Sequence, residues 1–179
     1  MDKNIELEVI DVIPSQEESD AYVLVLKEVE GERLLPIIIS FTEASAIQLF
    51  IREKTFPRPL VHDVLINALN FSEINIEKVE IYKVVDGVYY AYLYLKDKRD
   101  NRYTRIDARP SDAILMALKS NTPIYIAESI LTNEAIEEEA IDAEVTESVD
   151  QLEEALNLAI EEENYELASV LRDKIAQLK

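Results

Sequence analysis

The stretch Arg105-Ile106-Asp107-Ala108-Arg109-Pro110-Ser111-Asp112-Ala113-Ile114-Leu115-Met116-Ala117-Leu118 decides how the chain is read. Pro110 fixes its own φ and biases Arg109 out of the helical region, so a strand must end there and a turn begin. Ser111 then predicts an N-cap, and Asp112 places negative charge where the helix dipole favours it. Ile114, Leu115 and Leu118 recur at helical spacing and predict a buried face. Two arginines and two aspartates are thereby crowded at one helix N-terminus, and any chemistry is expected near it.

Upstream, the clearest hairpin spans residues 74–85 and 88–95. Asp86-Gly87 is a type I′ signal that pairs Val85 with Val88 and Lys83 with Tyr90. Tyr90, Tyr92 and Tyr94 then point to one side of the strand, and Ala91, Leu93 and Leu95 to the other. A charged loop, 96–102, leads to the strand ending at Asp107. Nearer the start, residues 5–13 and 21–29 read as strands, and Glu30-Gly31 as a two-residue hairpin turn needing positive φ before Leu34–Ser40. Pro36 lacks a donor, which places that third strand at an edge or a bulge. Thr42 is the expected cap of a helix running to about Lys54. Phe56-Pro57-Arg58-Pro59 breaks it, and a second helix presents Val61, Leu65, Ala68 and Leu69 on one face before fading at Asn70.

Downstream, 123–126 is one more strand. Both halves show a hairpin with a glycine turn followed by a helix opening, Thr42-Glu43-Ala44 in one and Ser111-Asp112-Ala113 in the other. The predicted fold class is α+β, with a mixed or antiparallel sheet, packed helices and a duplicated β-hairpin–helix unit. Residues 1–130 form this domain, 131–148 an acidic linker, and 149–179 a C-terminal helical hairpin. In that hairpin Leu152, Ala155, Leu156 and Ala159 line one helix, and Leu167, Leu171, Ile175 and Leu178 the other. Asn164 is the expected cap of the second helix. Thirty residues bury little surface alone, so this arm should need a protein partner.

Composition narrows the classes. With 179 residues, 48% hydrophobic, the chain can bury one main core. It has no cysteine, which excludes a disulfide framework, a thiolate nucleophile and cysteine-held zinc. No run reaches the length of a membrane span and the start lacks signal-peptide character, so a cytoplasmic protein with no membrane association is expected. The net charge of −19 is uneven: residues 1–127 carry −6 and residues 128–179 carry −13. Such acidity weighs against tight nonspecific binding of phosphate backbones, though not against a local basic cleft.

Two resemblances follow from the motifs. Leu34-Leu35-Pro36-Ile37 with Glu43-Ala44, Arg58-Pro59-Leu60-Val61-His62-Asp63, and Asp107-Ala108-Arg109-Pro110-Ser111-Asp112-Ala113 occur in the order found in the bifunctional nuclease family, which residues 5–130 resemble. Two departures are Val61, where that family usually has threonine, and Ser40-Phe41, where it often has Ile-Gly. The first removes a hydroxyl beside His62. The tail, with Tyr165-Glu166-Leu167-Ala168-Ser169-Val170-Leu171-Arg172-Asp173, resembles a UVR motif, a helical hairpin that docks onto other proteins in excision-repair subunits and partners of Clp-type proteases.

The first resemblance implies activity on DNA and RNA. A nuclease must hold a phosphodiester, activate water and stabilise the leaving oxygen, which carboxylates with a divalent metal and arginines can do. Local chemistry then nominates Arg58, Arg105 and Arg109 for phosphate. His62, Asp63, Asp107 and Asp112 are the catalytic candidates, and Glu43, Asp107 and Asp112 the metal ligands. His62 is the sole histidine and sits at a helix start, where the dipole favours its neutral, basic form. Magnesium or manganese suits carboxylate ligands better than zinc does, and no organic cofactor is expected. Against this stands a plain alternative, in which Arg109 pairs with Asp107 or Asp112 and simply pins the turn.

The tyrosine stripe is open to two readings, a stacking platform for bases or a packed sheet face. Two functions are thus carried forward. One is a metal-assisted nuclease of low sequence specificity with a protein-docking arm. The other is a non-enzymatic oligomeric adaptor that docks through that arm onto a repair or Clp-type protease complex. Homo-oligomerisation is expected in either case.

Overall fold

The computed structural model describes residues 3–15, 21–54 and 57–136, together with 152–154, 156–160, 164–165, 168–169, 171–172 and 175. Four strands and two helices form the first half: β1 (Asn4–Pro14), β2 (Ala21–Glu28), β3 (Leu34–Ser40), α1 (Phe41–Ile51), α2 (Val61–Phe71) and β4 (Ile74–Val85). Then come β5 (Val88–Asp97), β6 (Tyr103–Ala108), α3 (Pro110–Ser120), β7 (Ile124–Ala127) and α4 (Glu128–Glu134). The seven strands make one sheet in the order β3-β2-β1-β7-β4-β5-β6. Every pairing is antiparallel except β4 with β7. Among the described residues no helix is long and apolar enough to cross a membrane.

The sheet order explains the internal echo. Two three-stranded meanders, β1-β2-β3 and β4-β5-β6, flank β7, and each ends at an edge strand that runs straight into a helix, α1 or α3. Pro36 lies in edge strand β3, opposite Val25, where its missing donor leaves no ladder bond unmade. The Asp86-Gly87 turn has positive φ at both residues (51° and 75°), as a type I′ turn requires, and the registers Val85–Val88 and Lys83–Tyr90 form as expected.

α3 is the centre of the core. Pro110, Ser111, Ala113, Ile114, Leu115, Met116 and Ala117 are all buried, and the helix packs against α1, α2, β4 and β5. Ala91, Leu93 and Leu95 of β5 face it, while the alternate tyrosines face the other side. The helix ends at Asn121 in the left-handed conformation (φ 52°), a usual helix stop.

Several local expectations are corrected. Ser40, not Thr42, precedes the first turn of α1, because the Glu43 carboxylate reaches back to the Ser40 N–H at 2.8 Å. Arg109 rather than Ser111 is the N-cap residue of α3: Pro110 already has the helical φ, which moves the helix start one residue earlier. The loop after β2 is longer than a two-residue turn, and Gly31 does not have positive φ. Its constraint is steric, since a Cβ there would fall 2.2 Å from the Glu28 carboxylate, which Arg33 grips through two hydrogen bonds of 2.8 and 2.9 Å.

The inward face of α2 is carried by Ile66 and Leu69, whereas Val61 and Leu65 face outward, 81% and 46% exposed. The folded domain also runs past residue 130. Ile130 and Leu131 of α4 are buried in the main core, and Ile136 pairs with Leu34. The linker from residue 137 onward lies outside the described residues, as do Phe56, Ala155, Leu167 and Leu178. In the tail, Ala159, Ala168 and Leu171 are buried together with Leu152 and Leu156 packed on them, and Asn164 accepts the first helical bond from Ala168 at 3.0 Å.

Two stability predictions follow from these positions. Ile114→Ala should cost about 2–5 kcal/mol in chemical denaturation, because α3 is walled on several sides and the cavity cannot collapse. Asp97 is buried and held down to about 2 by the hydrogen bonds and charge of Arg99. Its contribution is therefore complete above the ordinary carboxyl value of about 3.9 and is lost as pH falls through about 2. Acid unfolding should show that loss for the parent protein, while Asp97→Asn, less stable at neutral pH, should lack this part of the transition.

Candidate functional site

Three helices carry an acid at the third position: Glu43 in α1, Asp63 in α2 and Asp112 in α3. Each meets the free N–H groups and positive dipole end of its helix, which is the local reason for an acid there. What differs is the partner each then finds. Asp63 accepts from the Leu60 N–H at 2.8 Å and from Lys119 Nζ at 2.6 Å. Lys119 first, and the backbone bond second, hold its carboxyl below the ordinary range. Asp63 thus ties the start of α2 to the end of α3, a structural role.

Glu43 and Asp112 instead share Arg109. Arg109 Nε donates to Asp112 Oδ2 at 2.9 Å, and its Nη1 forms an ion pair with Glu43 Oε1. Asp112, then Glu43, raise the guanidinium above its ordinary value, so Arg109 is a permanent cation. The other Asp112 oxygen, Oδ1, lies 3.2 Å from His62 Nε2. His62, Asp112, Arg109 and Glu43 therefore form one continuous relay across the N-termini of three helices. With Nε2–H donated to Asp112, His62 keeps Nδ1 as a free acceptor, as in carboxylate–imidazole pairs that serve as bases.

The relay borders two hollows. Arg109 and Glu43 open on a cleft of about 440 Å³ between the end of β3, the Gly87 turn and Pro110-Ser111. His62 and Asp112 line a smaller apolar hollow of about 330 Å³, with Leu65, Ile106 and Met116 among its walls. Arg109 is 67% exposed, so its remaining N–H groups can be reached by a ligand.

Other expected site residues lie elsewhere. Asp107 and Arg105 project to the opposite sheet face, because β6 alternates and Ala108 faces the helices. There Asp107 accepts from the Tyr82 hydroxyl at 3.1 Å, and the Arg105 guanidinium lies 4.2 Å over the Tyr92 ring. Arg58 lines a third cavity, beside Asp63 and Lys119. The expected three-carboxylate metal site is not assembled. Glu43 and Asp112 meet around Arg109, and Asp107 is across the sheet. Among the described residues no group of three or more His, Asp or Glu is placed to hold a metal.

The tyrosine face also resists the stacking reading. Tyr92 has the Tyr82 ring stacked at 3.8 Å and Arg105 over it, so both of its ring faces are occupied. Tyr94 is covered by Lys78 Nζ at 4.3 Å. Tyr82 and Lys119 are the partners that spacing alone could not find; the acid at the third position of each helix was the available signal.

Fold and site define an α+β domain that brings a histidine, an arginine and two carboxylates together at the starts of three helices. The chain belongs to the bifunctional nuclease domain family, whose model matches residues 24–139, and a UvrB/UvrC motif follows at residues 146–179. It is 33% identical over 141 residues to an uncharacterized protein of Mycobacterium tuberculosis, covering 75% of this chain and 83% of that protein. It is 28% identical over 127 residues to Bifunctional nuclease 1 of Oryza sativa subsp. indica, and 29% over 125 to Bifunctional nuclease 2 of Oryza sativa subsp. japonica. Those matches cover 70% and 69% of this chain but only 38% of each rice protein.

The Glu43–Arg109 pair is open to solvent on the arginine side, and exposed pairs contribute little to stability. A double-mutant cycle with Glu43→Gln and Arg109→Gln should give a coupling below about 1 kcal/mol in thermal unfolding. Circular dichroism melts would check it, and a larger coupling would make the relay a structural clamp.

Proposed function

We propose that the chain is a nuclease whose reaction centre is the relay His62–Asp112–Arg109–Glu43. The observation that carries this reading is the unbroken line of contacts joining the sole imidazole to an accessible arginine, at the edge of an open cleft. Membership of the bifunctional nuclease domain family supports the reaction class.

In this proposal the free N–H groups of Arg109 hold a phosphodiester oxygen, and Glu43 fixes the guanidinium. His62 Nδ1 takes a proton from water, whose oxygen attacks phosphorus while the bond to the leaving oxygen breaks. Asp112 stabilises the imidazolium so formed, which releases its proton to solvent, while the leaving oxygen takes a proton from water on the opposite side of phosphorus. Arg109 also meets charge developing on the phosphoryl oxygens. No step in this proposal is assigned to magnesium or manganese.

The test is cleavage of labelled single-stranded RNA and duplex DNA by the full chain, with magnesium, manganese or EDTA. His62→Ala and Arg109→Ala should each lower the rate about 10²-fold or more while melting like the parent, and Asp107→Asn should stay near parental. Loss of cleavage in Asp107→Asn alone, or rates unchanged in both relay variants, would overturn the assignment. A second reading is favoured by the UvrB/UvrC motif: residues 149–179 dock a protein partner, and a folded chain without cleavage would leave that adaptor role as the function.

A further inference from the structure

β6 is the outer strand of the sheet, with Tyr103, Thr104, Arg105, Ile106 and Asp107 all exposed. An edge of this kind presents unpaired backbone donors and acceptors, a template for another strand unless it is blunted. Its two exposed charges, Arg105 and Asp107, are of opposite sign and share one face, and the other face is bordered by apolar side chains. Ile106 is 50% exposed, and α2 beside it shows Val61, Val64 and Leu65 to solvent. Val61, Leu65 and Ile106 also wall the apolar hollow that contains His62 and Asp112.

We infer that two copies of this chain associate through β6, antiparallel and centred on Ile106, to make one continuous sheet. The charges along the strand select the partner and the register. With Ile106 opposite Ile106, Arg105 of each copy lies directly opposite Asp107 of the other, which gives two ion pairs on the tyrosine face. Opposite charges directly across an antiparallel pair stabilise it, and like charges destabilise it.

Sliding the second strand two residues one way sets Arg105 against Arg105. Two residues the other way sets Asp107 against Asp107. A slip of one residue places the helix-bearing faces on opposite sides and leaves Ile106 against a charged residue. Only the register centred on Ile106 satisfies both faces, and it is self-complementary, as a two-fold interface must be. Arg105 and Asp107 are already held on that face, by the Tyr92 ring and the Tyr82 hydroxyl.

The same symmetry sets the two apolar hollows on either side of the seam. It brings Tyr103 of the second copy across from Arg109, so each relay lies beside the other chain. The association does not depend on the nuclease reading.

The chain has no cysteine, which makes the test direct. In the full-length Ile106→Cys variant, mild oxidant or a short bis-maleimide should link two chains. Tyr103→Cys should not be linked, since its copies would lie about 20 Å apart along the strands. By light scattering at physiological ionic strength, the parent should be a dimer. Asp107→Arg and Arg105→Asp should each weaken dimerisation about tenfold or more, and the double swap Arg105→Asp/Asp107→Arg should restore it. A parent that stays monomeric, a dimer indifferent to both reversals, or linkage at Tyr103→Cys in place of Ile106→Cys would overturn the inference.

Discussion

The burial of α3 is the constraint on which the rest of the structure depends. This helix is apolar on nearly every side, so it can sit only where sheet, α1 and α2 enclose it together. Its first turn is buried with it at Pro110, Ser111 and Ala113, and only the Asp112 side chain stays partly open, next to Arg109 where β6 ends. Because α1 follows from the other edge strand in the same way, the two helix starts converge, and their third-position acids come within reach of one arginine.

Such a convergence places one cation among two carboxylates and an imidazole. One cation is thus shared by two carboxylates, and the guanidinium stays partly open to solvent. The neighbouring acid Asp63 shows the contrast, because its cation is the partly buried Lys119, which ties the start of α2 to the end of α3.

The two sheet faces divide the labour. The face under the helices provides the core and orients the relay. The other carries an array of tyrosines whose rings are stacked on one another and capped by Lys78 and Arg105, a surface held rigid by its own contacts. Edge strand β6 belongs to both, since Ile106 points to one face and Arg105 and Asp107 to the other. The tail keeps its own small apolar cluster, as a short helical pair must if it is to present a surface to a partner.

Local physics made much of this legible in the residues alone. The type I′ turn at Asp86-Gly87 set its hairpin register, Pro36 marked an edge, and the Pro110 start of a buried helix was readable from its neighbours. Helix boundaries near Ser40 and Arg109 shifted because side-chain reach and proline geometry compete over one or two residues. The strand parity that sends Asp107 away from Asp112 was also implicit, since alternate residues point to opposite faces. What could not be read was which outward face finds a partner across the chain. Periodicity identifies the apolar side of α2 but not its rotation against the core, which puts Ile66 inward and Val61 outward. Nor does spacing reveal that residues 43, 62, 109 and 112 meet. Sequence alone determined the elements other than α4, because their signals lie within a turn or two of backbone; only the tertiary structure decided the site, because its contacts span up to 66 positions and arise from how three helices pack on one sheet.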